Sequence, residues 1–531
     1  MSTTAPGLGA EPRETGRRRG LTAEQGIVLA LTVLAVALRL YQLSRPGYLT
    51  GVDEYDDAVD FGSALRLVHG YLPYRDFVLV QPPGITLLMS PVALLANLTG
   101  TASGFAIARV LTALAGAASV PLAGWIVRGR GPLVAAVTCG ILAVFPAALE
   151  AAHTVLLEPW LVMFTLIGML VLFDGEHLAV SRKRLFWAGA AFGFAGAIKV
   201  WAVLPVAVVL VLTWRALRWR PWLSYLGGVA AGFAVPVAPF ALLAPRRFYD
   251  SVVVAQLSRV DVTRVRISNR LVSLTGLNDF AHVTPRTAIA VAAVIAAAVG
   301  GLTLAAWALT RKPPPMLERF ALGTAVVVLA AFLWPADFYH HYAAFFIPFL
   351  ALALALPAGR VLAAAGPRAG MLIAAATAAT LLVLIPLTVI QYHHEAKLSA
   401  GSPGPSADRQ IPAGSCVVTD LSAMTIVANR FNATHGCSPM IDAIGTDYAL
   451  SGGRNGVSGA GRTPEVEKVW LQAFAQAQYV WISCAPAASR GCNPWTNRRI
   501  PWTHAILGYF HTHFRPVPGQ RPPAHVFVRS A

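Results

Sequence analysis

The sequence predicts an all-α polytopic membrane protein, with about 11 transmembrane helices and a small C-terminal extracytoplasmic α/β domain. Hydrophobic residues make up 56% of the 531 and charged residues 13%, with a mean hydropathy of +0.58, where a soluble domain carries about 25% charged residues. Apolar runs close to the roughly 20 residues a bilayer needs recur as far as residue 390. From about residue 395 the composition turns soluble, and Cys416, Cys437, Cys484 and Cys492 all fall in that part.

In chain order, residues 1–25 read as a disordered cytoplasmic tail containing Arg17–Arg19. The first apolar run has no small-residue cleavage site after it and reads as a signal anchor. Spans are expected at 26–43, 104–127, 131–149, 154–173, 185–198, 200–214, 222–244, 287–310, 317–334, 343–358 and 370–390. The two short runs meeting at Lys199 suggest tilted or broken helices. Segment 83–98 is apolar but carries Pro83 and Pro91. If it does not cross, then Arg128/Arg130, Arg182/Lys183/Arg184, Arg215/Arg218/Arg220, Arg311/Lys312 and Arg360/Arg368 all face the cytoplasm, as the positive-inside rule requires. It is therefore assigned to the first extracytoplasmic loop, 44–103, as an interfacial or re-entrant helix. This places the N-terminus inside and the C-terminal domain outside the cell membrane.

The net charge of +17 is spread over short loops, so it carries orientation rather than a nucleic-acid partner. Loop 245–286 is the exception, with seven arginines on the outer side. Either a long loop tolerates charge, or some of them, Arg264 and Arg266 first, bind an anion bidentately. The transmembrane domain closes at 394, a linker follows at 395–406, and residues 407–531 form the outer domain. Strands are expected at 416–419, 479–483 and 525–528, with helices at 421–430, 464–476 and 503–513. Gly445–Tyr448 and the glycine-rich 452–462 read as a linker or lid. The four outer cysteines point to two disulfides, most simply Cys416–Cys437 and Cys484–Cys492, although four cysteines allow three pairings. Cys139 lies within a span.

The chemistry concentrates in Gly51–Gly84, where six of the chain's 25 acidic residues lie within 34 positions. Asp53-Glu54 stands just past the first span. A helix follows with Ala58, Phe61, Leu65 and Val68 on its apolar face, then Pro73-Tyr74-Arg75-Asp76-Phe77 and Gln81-Pro82-Pro83-Gly84. This ordered set resembles the first outer loop of the GT-C membrane glycosyltransferases, particularly the bacterial branch similar to protein O-mannosyltransferases and lipid A aminoarabinose transferases. Gln81 departs from that pattern, which usually has a cation there. The resemblance is strongest over about 50–205, thinner at 335–360 and absent or generic beyond.

The resemblance implies an enzyme that transfers a sugar from a polyprenyl-phosphate donor to an acceptor hydroxyl on the outer face, with inversion. Asp53 would be the general base and Glu54 its catalytic neighbour. The donor phosphate would meet Lys199, His340, His341, Arg75, Arg264 and Arg266, and substrate would touch Glu158, Asp76 and Tyr342. The acceptor, a glycan, lipid or protein, is open. Taken alone, Asp53 and Glu54 could simply cap a helix; Lys199 could snorkel; Tyr339 and Tyr342 could be belt aromatics. Glu150 and His153 fit headgroup-level solvation. Asp53, Asp56, Asp57 and Asp60 recur at i, i+3, i+4 and i+7. They form either a solvated acidic face or a site for a divalent cation, Mg2+ or Mn2+, on Asp53 and Asp57. A flippase for lipid-linked sugars and a non-catalytic assembly subunit are the rival functions.

Overall fold

The computed structural model describes residues 21–214, 219–257, 265–277, 283–334, 337–365, 404–434, 436–451, 463–483, 494–520 and 525–530, with three further positions between 386 and 390. Its membrane part contains α1 (Ala23–Leu43), α4 (Thr101–Ile126), α5 (Pro132–Val144), α6 (Leu157–Leu172), α7 (Arg182–Ile198), α8 (Val203–Thr213), α9 (Trp219–Leu243), α10 (Pro285–Thr310), α11 (Met316–Leu333) and α12 (Ala343–Ala365). Between α1 and α4 lie α2 (Tyr55–Val68) and α3 (Gly84–Thr99). These helices match ten of the expected spans, six of them long and apolar enough to cross by themselves. The expected span at 370–390 lies largely outside the described residues. The run expected as 131–149 stops at Phe145, where Pro146 opens a separate turn, Pro146–Glu150. The chain is a multi-pass membrane protein.

Helix α3 packs with its two ends against the ends of bundle helices. Its first residue, Gly84, abuts the peptide of Ala197 and Ile198 at the end of α7. Its last turn meets the start of α4, where Ala96 packs on Gly104. Both places are the same layer of helix ends, so α3 and α2 lie together over the bundle. The apolar face of α2 is buried as its spacing requires, with Ala58 and Phe61 at 0% exposure and Leu65 at 1%.

Lys199 marks a real break. Its backbone is extended (φ −147°, ψ 130°), and a 3-10 turn at Val200–Ala202 precedes α8. The chain thus returns through α8 and comes back through α9, which runs parallel to α7. Gly189 and Gly193 of α7 face the carbonyls of Tyr225 and Val229, while Gly228 and Gly232 of α9 face those of Phe186 and Ala190. Reciprocal GxxxG pairs let the two backbones touch, the usual route to tight packing where lipid supplies no hydrophobic drive.

The C-terminal domain holds a four-stranded sheet of β1 (Val417–Thr419), β2 (Tyr479–Trp481), β3 (Phe514–Pro516) and β4 (Val526–Arg529), ordered β1-β2-β4-β3. Strands β1 and β2 are parallel, and the other two pairs are antiparallel. Three of the strands and the helices α13 (Ser422–Val427), α15 (Pro464–Gln476) and α16 (His504–His513) fall where expected, whereas β3 was not anticipated. Residues 445–448 belong to a helix, α14 (Ala443–Leu450), and not to a linker or lid, because Asp442 caps it by accepting the Gly445 N–H. Cys416 and Cys437 form a disulfide with 5.4 Å between their Cα atoms; Cys484 and Cys492 lie outside the described residues. The domain sits directly on the first loop. Thr101 donates to the Ile426 carbonyl (2.7 Å), and Ile426 and Ile441 join the apolar cluster around Phe61.

The glycine contact gives a sharp expectation. Gly193→Leu should lower the thermal unfolding temperature in detergent, since overpacking typically costs about 1–3 kcal/mol. Gly301→Leu on α10, with open space around it, should leave the temperature unchanged. Equal behaviour of the two variants would remove the helix contact as a source of stability.

Candidate active site

Arg109 organises the region. It is fully buried in α4, and one face of its guanidinium binds Asp57 through Nε (3.0 Å) and Nη2. Its Nη1 donates to the carbonyls of Tyr48 (2.7 Å), Leu49 (3.0 Å) and Gly51 (3.0 Å). The second carboxylate oxygen of Asp57 accepts the Val155 N–H at 2.6 Å. One buried ion pair therefore fixes the loop leaving α1, the start of α2 and the turn before α6.

Asp53 hangs between these anchors. Its carboxylate is 37% exposed and accepts a hydrogen bond from His153 Nε2. His153 is buried, and its Nδ1 lies 3.2 Å from the Gln42 amide nitrogen. Burial alone would raise the Asp53 pKa, but the charge and hydrogen bond of His153, helped by Arg109 and His340, hold it below the usual carboxylate value. His153 moves the opposite way: burial opposes its charge, and Asp53 more than restores it. Glu54, the N-cap of α2, has no such partner at bonding distance. Burial, opposed by His340 and reinforced by Asp53, pushes its carboxyl up to about 7.

Two adjacent histidines tie this cluster to a deeper one. His340 Nε2 is 2.8 Å from Glu150 and 3.6 Å from Glu54. His341 Nε2 lies 3.8 Å from Glu158, which binds Lys199 Nζ at 2.5 Å. Lys199 also stands over the rings of Trp201 (3.9 Å) and Tyr342 (4.3 Å). Tyr342 is thus part of the site floor. Asp60 is 2% exposed; burial, then the charges of Asp56 and Glu158, raise its pKa well above the ordinary value.

Several expectations need correcting. Asp57 and Asp60 are not a solvated face, because they are 0% and 2% exposed. Both oxygens of Asp57, an expected cation ligand beside Asp53, are already engaged, one by Arg109 and the other by the Val155 amide. Glu54, Glu150 and His340 instead each offer a ligand atom, all within 4.8 Å of one another. His153 is no headgroup-level residue but a buried partner of Asp53. Arg75 and Asp76 stay apart from the cluster, forming an exposed pair with each other at 2.8 Å. Arg266 is exposed at the start of the helix Ile267–Leu274, and Arg264 lies outside the described residues. Arg109 was missed, although an arginine inside an alanine-rich span is a signal in its own right.

Residues 29–244 match the family Dolichyl-phosphate-mannose-protein mannosyltransferase. The fold is similar to that of ArnT from Cupriavidus metallidurans bound to undecaprenyl phosphate, at 16% identity and a TM-score of 0.58 over 95% of this chain and 98% of that one. The apo form of the same protein gives 17% and 0.56 over 96% and 98%. The chain shares the fold of this membrane protein. A further similar fold, the oligosaccharyltransferase of Archaeoglobus fulgidus tethered to an acceptor peptide, has 14% identity and a TM-score of 0.51 over 96% of this chain and 74% of that one. No curated protein matches the sequence. The likenesses to solved structures concern the fold; the candidate site of this chain rests on its own residues.

The raised Glu54 pKa has a measurable consequence. A carboxyl whose folded pKa is about 7 against an ordinary value of 4.5 holds its proton longer when folded, so it removes stability as pH rises between those values. Glu54→Gln should therefore raise the unfolding temperature relative to wild type at pH 8 and change it little at pH 4.5. A gain of equal size at both pH values would show that Glu54 is not perturbed.

Proposed function

We propose that this protein is a GT-C enzyme that transfers a sugar from a polyprenyl-phosphate donor to an acceptor hydroxyl at the outer face of the cell membrane, with Asp53 as general base. The observation that carries the reading is the partly exposed Asp53 carboxylate, oriented by buried His153, over a deeper cluster of Lys199, Glu158, His341 and Tyr342. The match of residues 29–244 to a lipid-phosphate-dependent sugar transferase family supports the donor class, as does the bound undecaprenyl phosphate of the similar ArnT fold.

In this reading the acceptor oxygen attacks the anomeric carbon while the bond from that carbon to the phosphate oxygen breaks. The acceptor proton passes to Asp53, and the lipid phosphate leaves with the electron pair. One direct displacement inverts the anomeric configuration. Lys199 is not a free cation in the ground state, because Glu158 already balances it. The leaving phosphate would share Lys199 with Glu158 as its charge develops, the condition under which fixed charges lower a barrier. His340 and His341 would join it as hydrogen-bond donors. Arg75 and Arg266, at the surface, would act earlier, attracting the anionic donor.

A second reading of the upper cluster concerns a divalent cation. Glu54, Glu150 and His340 supply two carboxylate oxygens and an imidazole nitrogen, and Glu150 keeps an oxygen without a partner. This mixed set suits Mn2+ better than Mg2+, which prefers oxygen alone. Such an ion would add positive charge beside the acceptor and donor oxygens. Under this reading chelation abolishes transfer and Mn2+ restores it; transfer indifferent to chelation removes it.

Asp53→Asn keeps the side-chain shape and the contact with His153 but cannot take the proton. Transfer of sugar from a polyprenyl-phosphate donor should fall by about 10²–10⁴, with donor affinity and unfolding temperature near wild type. Wild-type transfer by this variant would remove the first loop as the catalytic site.

A further inference from the structure

A cavity of about 550 Å³ lies beneath the far end of α2, between the first loop and the C-terminal domain. That size is in the range of ligand sites. Arg66 lies in its wall from the α2 side, Tyr74 and Phe77 from the loop, Arg247 from the segment after α9, and Asp442 and Gln476 from the outer domain. Arg66 is 1% exposed, yet its Nε has no hydrogen-bond partner among the described residues, and its Nη1 makes a long bond (3.4 Å) to the Pro439 carbonyl. Its guanidinium stacks on Tyr71 at 4.2 Å and lies 5.4 Å from Phe77.

A buried, unmatched cation is costly unless something binds it, and here the nearby acids are engaged elsewhere. Asp76 is taken by Arg75 and by the Leu72 N–H at 2.7 Å. Asp442 accepts from the Tyr55 hydroxyl (3.0 Å) and the Gly445 N–H (2.6 Å). Asp250 faces Arg246 at 3.9 Å. Arg247 leans over the mouth, with its Nη1 on the Arg75 carbonyl at 2.7 Å. The wall carries Arg66 and Arg247 with Asp76, Asp250 and Asp442, but Asp76 and Asp250 face Arg75 and Arg246, which stand outside the wall, so neither makes an ion pair with Arg66.

We propose that this cavity binds an anionic saccharide, one bearing a carboxylate or phosphate, with Arg66 pairing the charge and the aromatic and amide walls holding the ring. The inference rests on the transfer reading only in making that saccharide part of the acceptor. The cavity is linked to the catalytic acids, since Asp442 in its wall grips Tyr55, the residue after Glu54. Arg66 stands 11 residues further along α2, roughly 16 Å at 1.5 Å per residue, so the anionic group would anchor the acceptor at a distance from the reacting hydroxyl. Burial lowers the guanidinium to about 10, which leaves it charged at neutral pH.

The test measures binding to the full-length protein in detergent, by titration against the unfolding temperature, with glucuronic acid, glucose and undecaprenyl phosphate as probes. Wild type should bind glucuronic acid at least roughly tenfold more tightly than glucose, the size expected for a charge-assisted hydrogen bond. Arg66→Met should abolish that preference while the ligand-free unfolding temperature stays equal or rises. Gln476→Trp, an exposed position at the cavity wall, should abolish glucuronic acid binding without touching Arg66, which covers the case in which Arg66→Met fails to fold. Undecaprenyl phosphate should stabilise all folded variants alike. Equal binding of glucose and glucuronic acid, or glucuronic acid binding unchanged in either variant, overturns the proposal. Loss of undecaprenyl phosphate binding in the two variants also overturns it, since the cavity would then be the donor's. If undecaprenyl phosphate binds no variant while glucuronic acid behaves as expected, the transfer reading fails and the anion site stands.

Discussion

The pair between Arg109 and Asp57 is the constraint on which the outer face of this protein depends. Both side chains are out of water, so their charges must be matched within the fold, and they are matched by five groups drawn from three stretches of chain. The loop leaving α1, the start of α2 and the turn before α6 have no continuous secondary structure joining them. The guanidinium does the joining, by satisfying the carbonyls of Tyr48, Leu49 and Gly51 while holding a carboxylate that in turn holds the Val155 amide. Removing one partner of such a buried pair usually costs about 3–5 kcal/mol, because the other is left uncompensated. The position of Asp53 is set by its neighbours on both sides being pinned in this way.

Around that frame the acids divide by solvation. Asp53 faces open space and a histidine, so its carboxylate form is favoured. Glu54, one residue later, is pushed up to about 7 by burial, against the opposing charge of His340. Asp60 is driven toward its neutral form by burial and by Glu158. These three carboxyls within eight residues thus end in different states, and the difference comes from what packs against them, since their intrinsic chemistry is the same. The same segregation of acid and base character within one site is what transfer chemistry uses.

The soluble domain is part of the membrane domain's outer surface. Tyr55 shows the coupling most directly: its hydroxyl donates to Asp442 and accepts the Ile444 N–H (3.0 Å), so the first turn of α2 and the first turn of α14 share one hydrogen-bond relay. Arg499 adds a contact over the Tyr55 ring at 5.3 Å. The apolar cluster around Phe61 continues into Ile426, Phe431 and Ile441. A movement of the outer domain would therefore be felt at Glu54 through the backbone of α2.

Much of the architecture was legible in the sequence, because membrane spans must be long, apolar and flanked by charge, and those are one-dimensional properties. The ten described spans, the break at Lys199, the apolar face of α2 and three of the four strands of the C-terminal sheet all follow from spacing and composition, whereas Cys416–Cys437 was the simplest of three possible pairings and the structure selects it. Asp53-Glu54 stood out in the sequence only as part of the ordered set that runs on to Gly84, since the pair by itself reads equally as a helix cap. Partner choice was not legible. Asp57 and Asp53 occupy the same apparent helix face, yet one is bound to Arg109 and the other to His153, each partner about 50 and 100 residues away in the chain. Arg66 carried no signal in the sequence, and only the structure shows it buried beside the C-terminal domain, with its Nη1 on the Pro439 carbonyl. A charge in a sequence has a sign but no environment; only the tertiary structure decides how much water it keeps and which counter-charge it meets, and those two quantities set its chemistry.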